Sequence, residues 1–266
     1  MVLPTKRSEV ETYNPRLLII FGAPKSGKSS LCAAMDDTCI IDTEDGYRSL
    51  SVMKVQARSV KDFFEFATLV KQYQAEHDGK LPYKRIVIDN ATRLETMCLS
   101  YAAHLYRTTT PMGASWGLLK DAQGRPIKGE NGKPMPDPNA DIRLLPNGAG
   151  WGYIRTAIQK VIDLIQPLCE TLILVAHVKD KTINRNDTEM NEASIDLAGK
   201  TGLILAGMSD ALALCYREGN KTFLDFNGGD TTVKGARSPH LRNKKLCVAE
   251  SNEEGDIKFD LSKLFI

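Results

Sequence analysis

Short apolar runs recur along the chain at Leu17–Phe21, Cys39–Asp42, Arg85–Asp89, Leu172–Ala176 and Ala211–Tyr216. Their length and continuous apolar character predict strands buried on both faces. Between the first four, apolar residues fall three and four apart over Lys28–Met35, Val60–Glu76, Ala91–Arg107 and Trp151–Leu168, which predicts helices. This alternation predicts an α/β fold with a mainly parallel twisted sheet flanked by helices. Beyond residue 211 the pattern turns to strands and turns, predicting a β-rich C-terminal extension with Asn-Gly-Gly at 227–229 as a hairpin turn.

Two polar stretches interrupt the pattern. Residues 108–150 have no sustained periodicity, and loops this long are usually functional or disordered. Residues 179–196 read as a second polar loop after the fourth strand. No internal repeat is apparent. The expected organisation is a tail at 1–16 and a single domain at 17–266, with a long insertion at 108–150.

Composition narrows the class. With 266 residues, 42% apolar and 26% charged, the chain can bury a sizeable core, and no Pro- or Ser-rich linker divides it. The first 16 residues lack the apolar run of a signal peptide, and nothing approaches the roughly 18 apolar residues of a membrane span, so a cytoplasmic location is expected. Six cysteines are scattered singly, without zinc-site or disulfide-framework spacing. A net charge of +2 does not advertise nucleic-acid binding, but residues 234–245 carry five Lys/Arg and no acid, suited to phosphate contacts or to a solvated loop.

The sequence LLIIFGAPKSGKSS decides the chemistry. It matches G-x-x-x-x-G-K-[ST] at Gly22, Gly27, Lys28 and Ser29, after a strand and before a helix. In such a loop the backbone N–H groups of Gly22, Ala23, Pro24, Lys25, Ser26, Gly27, Lys28, Ser29 and Ser30, proline excepted, can wrap phosphate oxygens. Lys28 reaches the β- and γ-phosphates and Ser29 can ligate Mg²⁺. A second metal-side carboxylate is supplied by KRIVIDN, where Asp89 ends a strand, the place where ligands gather in open α/β sheets. Asn90 follows where many such proteins carry a water-orienting Glu. A substitute carboxylate is Glu44 in CIIDTEDG, and the fourth strand ends in His177, a polar group able to donate to phosphate.

This order of motifs resembles the RecA recombinase core, and Asp42, Thr43, Glu44 and Gly46 with the Ile-Asp and Ala-His strand ends resemble the phage nucleotide-binding ATPases. That group includes the single-strand annealing ATPases of phages, and the likeness spans about residues 17–237. The resemblance implies a RecA-like, Mg²⁺-dependent ATPase in phage-type DNA recombination, annealing or replication, in the host cytoplasm if phage-encoded. It implies Glu44 as the residue that polarises water and His177 as a γ-phosphate sensor, with Lys28 completing the catalytic set. It also implies a homo-oligomer in which Lys234 and Arg237 are candidates for cations acting on a neighbour's site. Single-stranded DNA is the implied partner, with a single-strand binding protein or another recombination or replication protein beside it. Loops 108–150 and 178–198 correspond to DNA-facing loops; in the first, Trp116 is a stacking candidate, and Trp151 reads as core. Two other classes fit the same loop: a nucleotide-dependent loader or switch that remodels a replication protein, and a P-loop kinase, for which no Arg-rich lid motif is present.

Overall fold

The computed structural model describes residue 3 and residues 9–185, 188–229 and 232–266; of the expected tail, residues 1, 2 and 4–8 lie outside the described residues. The chain divides into two compact units, one of Met1–Val55, Tyr83–Asn90 and Cys169–Ile266, the other of Gln56–Pro82 and Ala91–Leu168.

The first unit carries the sheet. Its parallel centre consists of β1 (Leu17–Gly22), β2 (Thr38–Asp42), β4 (Arg85–Asp89), β5 (Thr171–Arg185) and β7 (Ala211–Glu218). The spatial order is β7-β1-β5-β4-β2, followed by β3 (Met53–Gln56). On the other side the order continues from β7 to β8 (Lys221–Asp225), β10 (Lys245–Ser251) and β11 (Ile257–Phe259), each antiparallel to its neighbour. Short β9 (Gly235–Ala236) also pairs antiparallel with β7. Period-two alternation sorts the side chains: Leu18 and Ile20 join Ile40, Val87, Ile173, Val175, Ala213 and Cys215 in one apolar cluster. Leu31, Cys32 and Met35, from α1 (Lys28–Ala33) and just beyond it, complete it. The opposite-facing Leu17, Ile19 and Phe21 are also buried, which explains why the strand sequences are apolar throughout.

The fourth strand runs far past its apolar stretch. β5 continues to Arg185 and pairs antiparallel with β6 (Thr188–Ile195), so within 179–196 the residues 179–185 and 188–195 form a two-stranded ribbon rather than the expected loop. A further helix, α5 (Thr201–Met208), follows it. The C-terminal hairpin turn is Gly219–Asn220, between β7 and β8, and not Asn-Gly-Gly at 227–229, which opens the longer connection toward β9.

In the second unit, α2 (Val60–Glu76), α3 (Ala91–Thr109) and α4 (Ala149–Ile165) pack on one another. A capping box starts α2: Ser59 and Asp62 satisfy each other's backbone N–H groups, fixing the helix start at the residue the pattern predicts. The 108–150 segment is ordered and hides a repeat. Leu-Lys-x-x-x-Gly-Arg-Pro at 119–126 is followed by Ile-Lys-x-x-x-Gly-Lys-Pro at 127–134 and by Met135. Ile127 N–H donates to Leu119 O (2.9 Å), Met135 N–H to Ile127 O (2.8 Å) and Leu119 N–H to Met135 O (2.9 Å), closing the three arms into a triangle. Side-chain oxygens of Asp121, Asn131 and Asp137 each accept a backbone N–H two residues on, one per arm. Of the two tryptophans, Trp151 is not buried in the core as expected. Trp116 packs edge-on to Tyr106, with ring centroids 5.5 Å apart, while Trp151 stands 36% exposed on α4.

Among the described residues no helix is long and apolar enough to cross a membrane.

Candidate functional site

Because the four central strands β1, β5, β4 and β2 are parallel, their C-terminal ends lie along one edge of the sheet. Gly22 is in register with His177, and Asp42 with Asp89. Strand register therefore gathers residues separated by up to 155 positions in the chain (22 to 177). A cavity of about 460 Å³ opens here, lined by Pro24, Lys25, Gly27, Lys28, Ser29, Ser30, Glu44, Asp89, Asn90, His177, Arg217 and Ile257. All of these belong to the first unit.

Two glycines shape the loop over residues 22–27. Gly27 has φ +98° where the chain turns into α1, a conformation L side chains rarely adopt. At Gly22 a Cβ would stand 2.1 Å from Cys215 O on β7, so only glycine lets the strands approach. Gly22→Ala is expected to cost about 3 kcal/mol or more through overpacking. Chemical denaturation checks this; a midpoint equal to wild type would show that β7 can move aside.

Lys28 lies folded over the loop. Its Nζ donates to Gly22 O (2.9 Å), Ala23 O (2.7 Å) and Ser26 Oγ (3.4 Å), and burial pulls its pKa down against the opposing pull of nearby groups that include Asp89. Asp89 Oδ2 accepts from Ser29 Oγ (2.9 Å) and from Tyr47 Oη (2.6 Å). Burial pushes the Asp89 pKa up, and those two hydrogen bonds hold it back. Tyr47 is fully buried, and burial raises its own pKa, so it serves as a neutral donor.

The Asp-Thr-Glu segment splits its duties. Asp42 is buried and its Oδ1 accepts the backbone N–H groups of Glu44 (3.1 Å), Asp45 (2.7 Å) and Gly46 (3.2 Å). Lys54 lies 3.4 Å from its Oδ2. Thr43 ties the end of β2 to the end of β4: its N–H and Oγ1 both donate to Asp89 O at 2.9 Å, and Oγ1 accepts from Asn90 N–H at 2.9 Å. That scaffolding leaves Glu44 exposed on the cavity wall, close enough to Asp89 to raise its pKa.

His177 Nε2 lies 3.3 Å from Asn90 Nδ2, while its buried Nδ1 has no partner among the described residues. Asn90, set aside in the sequence reading as unable to act as a base, thus has a place beside His177. Lys234 and Arg237 stand elsewhere. Lys234 pairs with Asp225, Arg237 donates to Gly207 O (2.5 Å), and both line a separate cavity beside α5. Tyr47, Arg217 and Ile257 belong to no motif, and the sequence reading does not find them.

Ser29 and Asp89 together offer a hydroxyl and a carboxylate, both oxygen donors, at one point of the cavity wall. Mg²⁺ keeps several waters and commonly takes one or two protein ligands plus phosphate oxygens, so this donor set fits it. Among the described residues no cluster of three His, Cys, Asp or Glu side chains could hold a metal without such help.

A family model described as an AAA domain matches residues 14–129 and 137–238. Its two matched stretches include every residue named in the cavity wall except Ile257. No curated protein matches the chain.

Proposed function

The chain belongs to the AAA domain family, with a nucleotide-binding P-loop NTPase domain, and from that premise we propose that it hydrolyses ATP to drive a step of phage-type DNA recombination, single-strand annealing or replication. The observation that carries the hydrolytic part is that Lys28, Ser29, Asp89 and Glu44 line one cavity, with Ser29 hydrogen-bonded to Asp89. ATP is the substrate. Backbone N–H groups of residues 22–30 bind its phosphates and Lys28 swings from the loop carbonyls to the β- and γ-phosphates. Ser29 and Asp89 would hold Mg²⁺, which when bound offsets phosphate charge. Glu44 orients water and accepts its proton, and His177, on leaving its contact with Asn90, donates to the γ-phosphate through Nε2.

The DNA part is supported by the resemblance to phage annealing ATPases and by the exposed cations Lys120, Lys128 and Lys133 on the closed triangle of the second unit. In this reading the protein assembles with copies of itself, Lys234 and Arg237 facing a neighbour, and works beside a single-strand binding protein.

The deciding experiment is phosphate release by purified protein with and without single-stranded DNA, with Lys28→Ala as blank. Stimulation by DNA is the expected result. Hydrolysis indifferent to DNA would replace the recombination role with a switch that remodels a replication protein.

A further inference from the structure

Two residues in the cavity wall, Arg217 and Ile257, have no part in the hydrolytic reading. Both come from the strands that extend the sheet beyond β1. β7 lies parallel to β1, with Leu214 in register with Phe21. The next residue, Cys215, presses on the phosphate loop, its Sγ 3.6 Å from Ser26 O. Side chains alternate along a strand, so Arg217 emerges on the face of Cys215, roughly 7 Å further toward the cavity edge.

The hairpin partner of Arg217 is Thr222 on β8. Thr222 is buried, and its Oγ1 and Cγ2 lie 3.5 Å from where a Cβ on Gly27 would stand. The β7–β8 hairpin is thus wedged against both ends of the loop, which fixes where Arg217 starts. Among the described residues no carboxylate lies within ion-pairing distance of Arg217, whereas Lys234 and Arg237 both have acidic partners. A permanently charged planar fork with no carboxylate partner among the described residues, set in the wall of the cavity that holds the G-x-x-x-x-G-K-S loop, suits triphosphate oxygens.

Ile257 opens β11 and shares its face with Phe259, which packs on the same apolar cluster as Ile20 and Cys215. Ile257 itself is 40% exposed. It offers the cavity an apolar surface with no hydrogen-bonding group of its own.

We propose that Arg217 is a ligand of the bound nucleotide's phosphates within the same subunit, and that Ile257 supports its base by apolar contact. The C-terminal antiparallel strands then complete the site in cis. This assignment rests on the nucleotide-hydrolysis reading above, and it divides the nucleotide between two residues: charge recognition at Arg217 and base packing at Ile257.

Inorganic tripolyphosphate, which lacks base and ribose, separates the two. Affinities for ATP and tripolyphosphate are measured by calorimetry for wild type, Arg217→Ala, Arg217→Lys and Ile257→Ser. Arg217→Ala is expected to weaken both ligands roughly tenfold or more, with partial recovery in Arg217→Lys. Ile257→Ser is expected to weaken ATP several-fold and leave tripolyphosphate unchanged. Arg217→Ala binding tripolyphosphate as wild type does would overturn the phosphate assignment. Equal loss of both ligands in Ile257→Ser, or no loss of ATP, would overturn the base assignment. Wild type binding neither ligand would instead remove the nucleotide reading itself. Both positions are solvent-accessible, so all variants should melt with wild type, and Arg217→Lys keeps the test open should the alanine variant not fold.

Discussion

Lys28→Ala is expected to reduce ATP hydrolysis roughly 10²–10³-fold or more, and to weaken ATP binding more than ADP binding. The Lys28 ammonium is buried and held by two neutral carbonyls and a hydroxyl, and that burial lowers its pKa. Such a group is short of an anionic partner, and a triphosphate supplies one at the place where charge grows during γ-phosphoryl departure. Stability should fall only modestly, because Ala23 is exposed and water can replace the donor lost at its carbonyl, while the buried Gly22 O loses its lysine partner. Phosphate release and thermal melting of the same preparation check both halves. Turnover within tenfold of wild type would remove Lys28 from charge stabilisation.

Much of this arrangement is legible in the chain, for identifiable reasons. The β4 and α2 boundaries follow from pattern alone: Arg85–Asp89 is a continuous apolar run ended by a carboxylate, and Ser59 with Asp62 supplies a capping box. The phosphate loop is local, so its letters suffice. What no local pattern carries is strand order. That β5 lies between β1 and β4, bringing His177 beside Gly22 and within reach of Asn90, is a long-range choice among pairings.

The elements that escape prediction share a cause. The β5–β6 ribbon is built mostly from charged and polar residues that show no sustained apolar alternation, so it reads as loop. The triangle at 119–135 hides because each arm is shorter than any periodicity window; only its eight-residue spacing betrays it. Tyr47 and Arg217 carry no motif. Tyr47 is placed by its hydrogen bond to Asp89 and Arg217 by its pairing in the β7–β8 hairpin, which the chain reveals only once folded.

Glu44→Gln is expected to lower hydrolysis roughly 10²–10⁴-fold while leaving ATP affinity unchanged or slightly tighter. Among the described residues, the carboxylates that line the cavity are Glu44 and Asp89. Asp89 is engaged by Ser29 and Tyr47, and Asn90 cannot accept a proton in its place. Asp42, two residues before Glu44, spends one oxygen on three backbone N–H groups and so fixes the loop that presents Glu44. Glutamine keeps the size and a hydrogen-bonding oxygen but loses the ability to take a proton from water, so the loss should fall on turnover and not on binding. Removing a negative charge near the phosphates also eases repulsion, which is why tighter binding is the expected direction. Single-turnover phosphate release with labelled ATP, read beside the equilibrium affinity, distinguishes the two effects. Wild-type turnover by Glu44→Gln would exclude Glu44 as the base, whereas a parallel loss of affinity and rate would make it a structural member of the loop that Asp42 holds.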